Sequence, residues 1–488
     1  MSDVILVNTK VGNESYSYPH PPLGLMFLAA VLEENGYSAE IVDTRIEEDY
    51  QQKIAKLLRQ DPLCVGVSAK TGGQITSGLS VSEFVKTQNA DLPVVWGGIH
   101  PTLFPEKTVA DKRVDIVVRG EGEQTFLELT QAVEKGTTFK NILGITYKEN
   151  GTIKSNPNRP FLDMNKLPFP AWHLLDIEKY AKPYPYLDAK RALPIHTSRG
   201  CPWRCRFCYN LFVNQRHWRA KTAEKVVEEI KFMVEKFKIS GLIIREDNFV
   251  TDYSRVRKIS QLIKKEGIDI TASCNIRATD FKDDILQDLV RCGISVVDVG
   301  AESGSQKILN LIQKDLEVEQ TVESARKAKK YGLIPVYSFI VGLPTEEKED
   351  VVRTIRVIKE LRQINPNSLV INLNIFTPYP GGELYDISKQ YGFVEPATLE
   401  EWGKYNWNTL NIPWVKDSDF INLINSSGVF ALNERAVESV RKKGPVFNLA
   451  GWLLQRAAKF RWEKEFWSLP IEFKLFKMFS STMEKRVS

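Results

Sequence analysis

The 488-residue sequence predicts an α/β protein in three parts: an N-terminal doubly wound, flavodoxin-like domain, a second βα series, and a C-terminal mainly helical extension. Three observations carry that prediction. Short β-branched runs alternate with amphipathic stretches over the first 135 residues. The alternation resumes from Leu193 with six more strand-like runs, and beyond Pro396 it gives way to aromatic and basic sequence. Such βαβα alternation means a parallel sheet covered by helices on both faces. The boundaries expected from these shifts are 1–140 for the first domain, 141–190 for a connector, 191–390 for the second series and 391–488 for the extension.

Taken in order, the first domain reads as strand Val4 to Asn8, helix Leu23 to Asn35, strand Ala39 to Asp43, helix Tyr50 to Arg59 and strand Cys64 to Ser68. Helix Val81 to Gln88, strands Pro93 to Gly97 and Asp115 to Val118, and a helix from Glu123 follow. In open sheets of this kind a ligand sits outside the carboxyl ends of the strands, near the point where strand order reverses. The loops expected there are Thr9 to Pro22, Ala69 to Ser77 and Gly97 to Phe104. Ile145 to Ile153 reads as a hairpin around Asn150-Gly151, and a proline-rich crossing runs from Pro157 to Pro194. Strands of the second series are expected at Leu193–Thr197, Leu242–Arg245, Ile270–Cys274, Ser295–Ala301, Pro335–Val341 and Leu369–Phe376.

Composition narrows the class. With 43% hydrophobic and 10% aromatic residues the chain can bury two or three cores of ordinary size. Six cysteines, three of them in one loop, speak for a reducing compartment rather than a disulfide scaffold. The N-terminus opens on a strand-like run without the basic and apolar regions of a signal peptide. The longest apolar candidate, Leu23 to Leu32, is far short of the ~18 residues that span a bilayer. A cytoplasmic protein is expected. The net charge of +5 is uneven: Arg441 to Ser488 holds eleven Lys/Arg against four Asp/Glu, so the rest of the chain is slightly acidic.

The run Cys201-Pro-Trp-Arg-Cys205-Arg-Phe-Cys208 offers three thiolates to a four-iron cluster and leaves one iron without a protein ligand. Clusters that only carry electrons are normally held by four Cys, so three point to chemistry at the open iron. A structural zinc site, a disulfide pair or three neighbouring buried thiols are the alternatives. Zinc wants a fourth ligand, and His196 and His217 sit at spacings no common zinc pattern uses. Cys64 and Cys292 lie in apolar patterns and read as core, while Cys274 is expected near the mouth of the second series.

The cysteine run resembles the signature loop of the radical S-adenosylmethionine (SAM) enzymes, with Gly200 before the first Cys, Phe207 before the third, and Tyr209-Asn210 after it. The resemblance implies a [4Fe-4S] cluster on Cys201, Cys205 and Cys208 whose open iron chelates SAM. It further implies that an electron from an external reductant, such as flavodoxin or ferredoxin, cleaves SAM to a 5'-deoxyadenosyl radical. The six strands then match that family's partial (βα)6 TIM-like barrel, which carries its working groups at the carboxyl ends of strands. By the same resemblance Phe207 and Tyr209 flank the cofactors, and Glu246 and Asp247 hold the SAM ammonium. Arg277 pairs with its carboxylate, Glu302 and Ser303 contact ribose and carboxylate, and Gly342 lies bare against adenine. Asp247, Ser303 and Thr345 also read as plain helix caps.

A second resemblance covers the first domain. In cobalamin-binding proteins the pattern DxHxxG, SxL, GG holds the nucleotide tail. Here Ser68-Ala69-Lys70 stands at SxL, 26 residues before Gly97-Gly98. The DxHxxG window falls on Pro19-His20-Pro21-Pro22-Leu23-Gly24, where Pro21 occupies the slot of the cobalt-ligating histidine and His20 is one residue out of register. Gly97 and Gly98 would let a bulky tail approach the backbone closely. The block Gly97-Gly98-Ile99-His100-Pro101, Pro105-Glu106, Asp115 and Arg119-Gly120-Glu121-Gly122-Glu123 resembles cobalamin-binding radical SAM proteins, the anaerobic magnesium-protoporphyrin ester oxidative cyclase and the methyltransferases among them. Ser68, Lys70, Gly97, Gly98 and Glu121 are the cobalamin contacts this implies.

Together the resemblances imply an enzyme using a [4Fe-4S] cluster, SAM and cobalamin, with methylation of an unactivated carbon as the expected reaction. Oxidative or ring-forming chemistry without methyl transfer is the alternative from another reaction class, and a non-catalytic cobalamin-binding module is the third. Trp402, Tyr405, Trp407 and Trp414 are expected to cap the barrel. From Phe447 to Phe479, Trp452, Leu453, Phe460, Trp462, Phe466, Trp467, Phe473, Phe476 and Phe479 interleave with Arg456, Lys459, Arg461, Lys464, Lys474 and Lys477. A helical lid with a solvated basic face is the simpler expectation, and a peripheral contact with anionic membrane the alternative. A small-molecule substrate is expected, with a lipid or isoprenoid suggested by this tail. No nucleic-acid motif accompanies the charge.

Overall fold

The computed structural model describes residues 2–11, 19–405, 412–442 and 444–468. In chain order the first elements are β1 (Val4–Asn8), α1 (Leu23–Glu34), β2 (Ala39–Asp43), α2 (Tyr50–Leu58), β3 (Cys64–Ser68), α3 (Gly73–Gln88) and β4 (Val94–Gly97). They continue with α4 (Ile99–Leu103), α5 (Pro105–Ala110), β5 (Ile116–Val118), α6 (Glu123–Glu134), β6 (Ile145–Glu149) and β7 (Thr152–Ser155). After three single-turn 3-10 helices come β8 (Ala192–Ile195), β9 (Ser198–Arg199), α7 (Asn210–Val213), β10 (Arg219–Ala220), α8 (Ala223–Phe237), β11 (Gly241–Ile244), α9 (Tyr253–Lys265) and β12 (Thr271–Ile276). Then follow α10 (Asp283–Arg291), β13 (Ile294–Glu302), α11 (Gln306–Leu311), α12 (Val318–Lys330), β14 (Ile334–Val341), α13 (Lys348–Ile364) and β15 (Leu369–Ile375). The last are α14 (Glu383–Gln390), α15 (Leu399–Gly403), α16 (Ser418–Leu432), α17 (Glu434–Arg441) and α18 (Pro445–Lys464).

These elements form two compact units. One comprises Met1–Ala272, Pro378–Tyr385 and Val394–Leu410; the other Ser273–Thr377, Asp386–Phe393 and Asn411–Ser488.

In the first unit a seven-stranded sheet runs in the order β2-β1-β3-β4-β5-β6-β7. It is parallel as far as β5 and closes with the antiparallel β6/β7 hairpin. Every residue of β1 is buried, as a parallel strand covered on both faces requires. Gly66 in β3 suits that covering, since a Cβ there would lie 2.9 Å from Leu6 Cδ2 and 3.1 Å from Phe126 Cζ on α6. Strand order reverses between β1 and β3, where Asn8 pairs with Ser68, so the carboxyl ends of these two strands mark the crevice of a doubly wound sheet.

Two stretches expected as loops are partly helical. α3 starts at Gly73 rather than Val81, because Gly72 at φ +101° turns the chain straight into the helix. Gly98 at φ +102° does the same for α4. Of the loop expected at Thr9 to Pro22, residues 12–18 lie outside the described residues. Further along this unit, β8 and β11 pair in parallel with Ile195 opposite Ile244. Gly241 permits that approach, since its Cβ would sit 2.5 Å from that of Ala189.

The second unit holds β13, β14 and β15, consecutive and parallel. A register shift between Gly300 and Glu302 interrupts the end of β13. α13 buries Val351, Ile355, Ile358 and Leu361 along one stripe. α16 packs on β15 and on α17 and α18.

Candidate functional site

In the first unit the three cysteines lie between β9 and α7, and none of the six in the chain is in a disulfide. The two-residue strands β9 and β10 pair antiparallel, Arg199 opposite Arg219, and clamp the loop at its base. Gly200 at φ +83° makes the clamp possible, since a Cβ there would lie 2.1 Å from His217 O. Gly382 packs as closely on the other side, its would-be Cβ 2.6 Å from Arg206 O, and Arg206 pairs with Glu383 at 2.9 Å.

Burial pushes the Cys208 thiol up to about 12, with Asp247 and the other two cysteines adding to the shift. Iron would supply the positive charge that turns such a thiol into a thiolate ligand. Among the described residues no three His, Cys, Asp or Glu side chains converge as ligands of one ion would. A four-iron cube asks for less, because each thiolate binds a different iron. The donor set fits such a cluster.

The end of β11 meets this loop. Asp247 accepts hydrogen bonds from the Asn210 side chain and the Gly200 backbone, so the structure brings Gly200, Cys208, Tyr209, Asn210 and Asp247 together. Burial raises the Asp247 carboxyl above its usual range. Glu246 is buried and accepts from Thr197 N at 3.0 Å and Thr197 Oγ1 at 2.7 Å. Burial raises its carboxyl too, opposed by the Arg255 charge.

The carboxyl ends of β3 and β4 form a cradle. Ala69 N donates to Gly97 O at 2.9 Å, and a Cβ on Gly98 would meet Ala69 O at 2.7 Å. Ser68 O accepts from Thr9 Oγ1 at 2.7 Å. Gly97 stays open, the nearest atom to its would-be Cβ being Val118 O at 3.8 Å. Bare, accessible backbone of this kind fits a bulky nucleotide tail. Lys70, anchored through its backbone to Gln74 Oε1 at 2.9 Å, is exposed yet crowded by protein, the situation of a side chain lining a concave wall. That crowding, with the charges of Arg245 and Arg45, lowers its pKa. Burial and the same three cations bring His20 down to about 4, and His196 falls to about 3 by burial beside Arg199, Lys221, Arg245 and Lys70. Both imidazoles are therefore neutral at pH 7 in a cationic setting. His100 is buried, with Nδ1 3.0 Å from Thr71 Oγ1 and its ring packed against Phe104 and Trp402.

Glu121 follows Gly120, whose N–H donates to Thr102 Oγ1 at 3.0 Å, the hydroxyl that itself donates to Gly98 O at 2.7 Å. Its carboxylate pairs with Arg199 at 3.0 Å and Arg219 at 3.1 Å and accepts from Leu162 N at 2.8 Å, while Glu123 takes the other arm of Arg199 at 2.5 Å. The Arg119-Gly-Glu-Gly-Glu block thus grips both strands of the cysteine ribbon. No motif marks Arg199 or Arg219; two arginines flanking the cysteine run at its ribbon positions are the signal the sequence carries.

In the second unit the strand ends carry Arg277, Glu302, Ser303 and Gly342. Glu302 sits at φ +63°, unusual for a side-chain-bearing residue, and Lys314 holds its Oε1 at 2.7 Å, both side chains buried. Gly300 makes room for the pair, since its Cβ would lie 2.3 Å from Glu302 Oε1 and 2.8 Å from Lys314 Nζ. Arg277 Nη2 donates to the carbonyls of Lys314 and Asp315. Ser303 Oγ accepts from Ser305 N at 3.1 Å.

Gly342 at φ +79° and Leu343 donate their N–H groups to Glu346, whose burial pushes its carboxyl up to about 8. Trp414 Nε1 donates to Gly342 O at 2.9 Å. Asp247, Ser303 and Thr345 are not helix caps: α9, α11 and α13 start after Asp252, Ser305 and Glu347. Lys314, Glu346 and Trp414 partner these strand ends with no sequence motif to mark them. Cys64, Cys274 and Cys292 are all buried. Trp402 and Tyr405, expected over a barrel mouth, belong to the first unit, where Tyr405 donates to Pro378 O at 3.0 Å. Trp407, Phe473, Lys474, Phe476, Lys477 and Phe479 lie outside the described residues.

Comparison with known proteins agrees with both halves of the sequence. The B12 binding domain family matches residues 9–130 and the Radical SAM superfamily residues 195–358. An uncharacterized methyltransferase, PH0819, of Pyrococcus horikoshii is 35% identical over 389 residues, 79% of this chain and 81% of that protein. The anaerobic magnesium-protoporphyrin IX monomethyl ester cyclase of Rubrivivax gelatinosus is 29% identical over 402 residues, 80% of this chain and 69% of that protein. The solved structure of the cobalamin-dependent SAM radical enzyme OxsB, with aqua-cobalamin and SAM bound, superposes with a TM-score of 0.74 at 18% identity, covering 94% of this chain and 71% of that one. The shared fold is a B12-binding domain, a half-barrel of parallel strands and a helical C-terminal part.

Proposed function

Because this chain belongs to the cobalamin-binding radical SAM enzymes, we propose that it transfers a methyl group to an unactivated carbon of a small molecule. When bound, the cofactors supply hydrogen-atom abstraction by a SAM-derived radical and a carrier for the methyl group. The chain's own residues do the holding. Cys201, Cys205 and Cys208 would ligate the [4Fe-4S] cluster, with Phe207 and Tyr209 beside it. Glu246, Asp247, Arg277, Glu302, Ser303 and Gly342 would hold SAM. Ser68, Lys70, Gly97 and Gly98 would hold cobalamin, with Pro21 offering no imidazole to the cobalt. Glu121 would join these cobalamin contacts while bracing the cysteine ribbon through Arg199 and Arg219. In domain terms, residues 1–140 carry cobalamin, 191–390 carry the cluster and SAM, and 391–488 form the extension.

The observation that carries this reading is the brace itself. Glu121 and Glu123, which follow directly from the sheet bearing the cradle, grip Arg199 and Arg219 at the base of the cysteine loop. One unit therefore ties both cofactor-binding loops together, as a reaction needing both would require. One-electron reduction would come from a flavodoxin- or ferredoxin-like donor. A lipid or isoprenoid substrate and a peripheral membrane contact through the basic C-terminal region are the finer parts of the proposal.

Anaerobically reconstituted protein incubated with methyl-labelled SAM tests it. Label in a product together with S-adenosylhomocysteine and 5'-deoxyadenosine is the expected result. Deoxyadenosine without labelled product would move the chain to the cyclase class, which the relative of Rubrivivax gelatinosus represents, and neither nucleoside would leave a binding module.

A further inference from the structure

α18 buries one face within its own unit. Leu454, Ala458 and Trp462 point inward, and Trp462 Nε1 donates to Ser427 Oγ on α16 at 3.0 Å. A helix packed in this way ordinarily shows water a polar opposite face. Here that face carries large apolar side chains. Leu449 is 61% exposed, Trp452 41%, Leu453 53% and Phe460 54%, and their spacing of three, four and eleven residues from Leu449 sets them in one stripe. Isolated exposed apolar residues mean little, whereas a contiguous row marks a surface that meets something.

Charge says what that something is. Arg456 falls inside the stripe with its guanidinium 4.7 Å over the Trp452 ring, and no described carboxylate pairs with it. Lys459 and Lys464 flank the row, their nearest carboxylates, Glu434 and Glu463, 3.9 Å away. Glu463, seven residues after Arg456 and eleven after Trp452, is the one acid of α18 and falls in line with the row at its carboxyl-terminal end. Leucine and aromatic side chains framed by long cations match the acyl boundary of a bilayer, where the stems lie along apolar surface and the charges reach lipid phosphates. A second copy would fit worse, because a two-fold interface here would set these cations against their own counterparts. No helix among the described residues is long and apolar enough to cross a membrane, so the contact would be peripheral.

We propose that the face of α18 formed by Leu449, Trp452, Leu453, Arg456, Lys459, Phe460 and Lys464 seats the enzyme on an anionic lipid surface. This rests on the reading that the C-terminal region meets the membrane, and it assigns that contact to one helix face.

Flotation of the holoenzyme with vesicles tests it. Vesicles of phosphatidylcholine doped with phosphatidylglycerol should carry the protein upward and pure phosphatidylcholine should not, and raised salt should reverse the binding. Arg456→Glu with Lys459→Glu and Lys464→Glu should cut the bound fraction by about tenfold. Leu449→Ser with Leu453→Ser and Phe460→Ser should cut it about as far, with the cluster spectrum retained. If the triple apolar variant loses its cluster, Phe460→Ser alone carries the test, its side chain being solvent-facing. Wild-type protein that stays down with anionic vesicles would overturn the proposal. So would a dimer, seen by sedimentation, that both variants dissociate. Flotation that survives both variants but is lost on Lys474→Glu with Lys477→Glu keeps the membrane reading and removes α18 from it. Since flotation requires no turnover, failure of label transfer would leave its outcome standing.

Discussion

The cysteine loop of the first unit and the strand ends of the second use polar groups in opposite ways. At Cys201 to Cys208 the protein builds a frame around the loop: two arginines, two glutamates and two closely packed glycines fix its base, while the thiols stay out of disulfides. At Glu302 and Arg277 the side chains of interest are themselves held, one by the Lys314 ammonium and the other on two carbonyls. The difference teaches where to look for function. A frame closed around thiols is where a cluster would be sought, and polar side chains already paired with one another are where an oriented ligand would be.

The largest effect should come from the cysteine loop. Replacing Cys201, Cys205 and Cys208 by alanine should abolish the iron and sulfide content and reduce 5'-deoxyadenosine formation below detection. Turnover that persists without the three thiols would end the comparison.

Lys314→Met attacks the locked side. It strands a buried carboxylate, and breaking a pair of this kind costs about 3–5 kcal/mol. Melting temperature should fall and the KM for SAM should rise while cluster content stays normal, with Lys314→Arg recovering part of both. A variant that melts earlier with an unaltered KM would make the pair purely structural. Gly98→Val is the intermediate case. A side chain at φ +102°, aimed 2.7 Å from Ala69 O, should displace the cradle and lower cobalamin occupancy several-fold while the iron content holds.

These contrasts follow how the sequence could be read. The six strands of the second series and the hairpin at Asn150-Gly151 were legible because periodicity and turn chemistry are local. The cysteine run was legible for the same reason, its chemistry dictating a spacing within eight residues. Partners chosen by packing were not. Glu121 reads as one more acid in a Gly-rich block until β9 and β10 pair and bring Arg199 and Arg219 to it across 78 and 98 residues. Lys314 sits in a charged stretch after α11 where nothing local marks it as the ion partner of Glu302, and Trp414 reaches Gly342 across 72 residues. The early start of α3 was not legible because Gly72 and Gly73 fall in the stretch expected as a loop, whereas the structure uses the first glycine to enter the helix.

The smallest prediction concerns Glu346, which belongs to the locked class but carries a proton with it. Burial raises its carboxyl from the model-compound value of 4.5 to about 8, against the pull of two backbone N–H donors. In this window the folded state binds more protons than the unfolded chain, so the group's stabilising contribution is complete below 4.5 and drains away as pH rises toward 8. Glu346→Gln keeps an oxygen for the N–H groups of Gly342 and Leu343 and removes the titration. The variant should therefore gain melting temperature over wild type at pH 8 by at least about 2 °C, and the gain should shrink as the buffer is taken down toward pH 5. Parallel curves for the two proteins across that range would show that the carboxyl stays charged in the folded state, and that the loop at Gly342 is held by an anion rather than by a neutral acid.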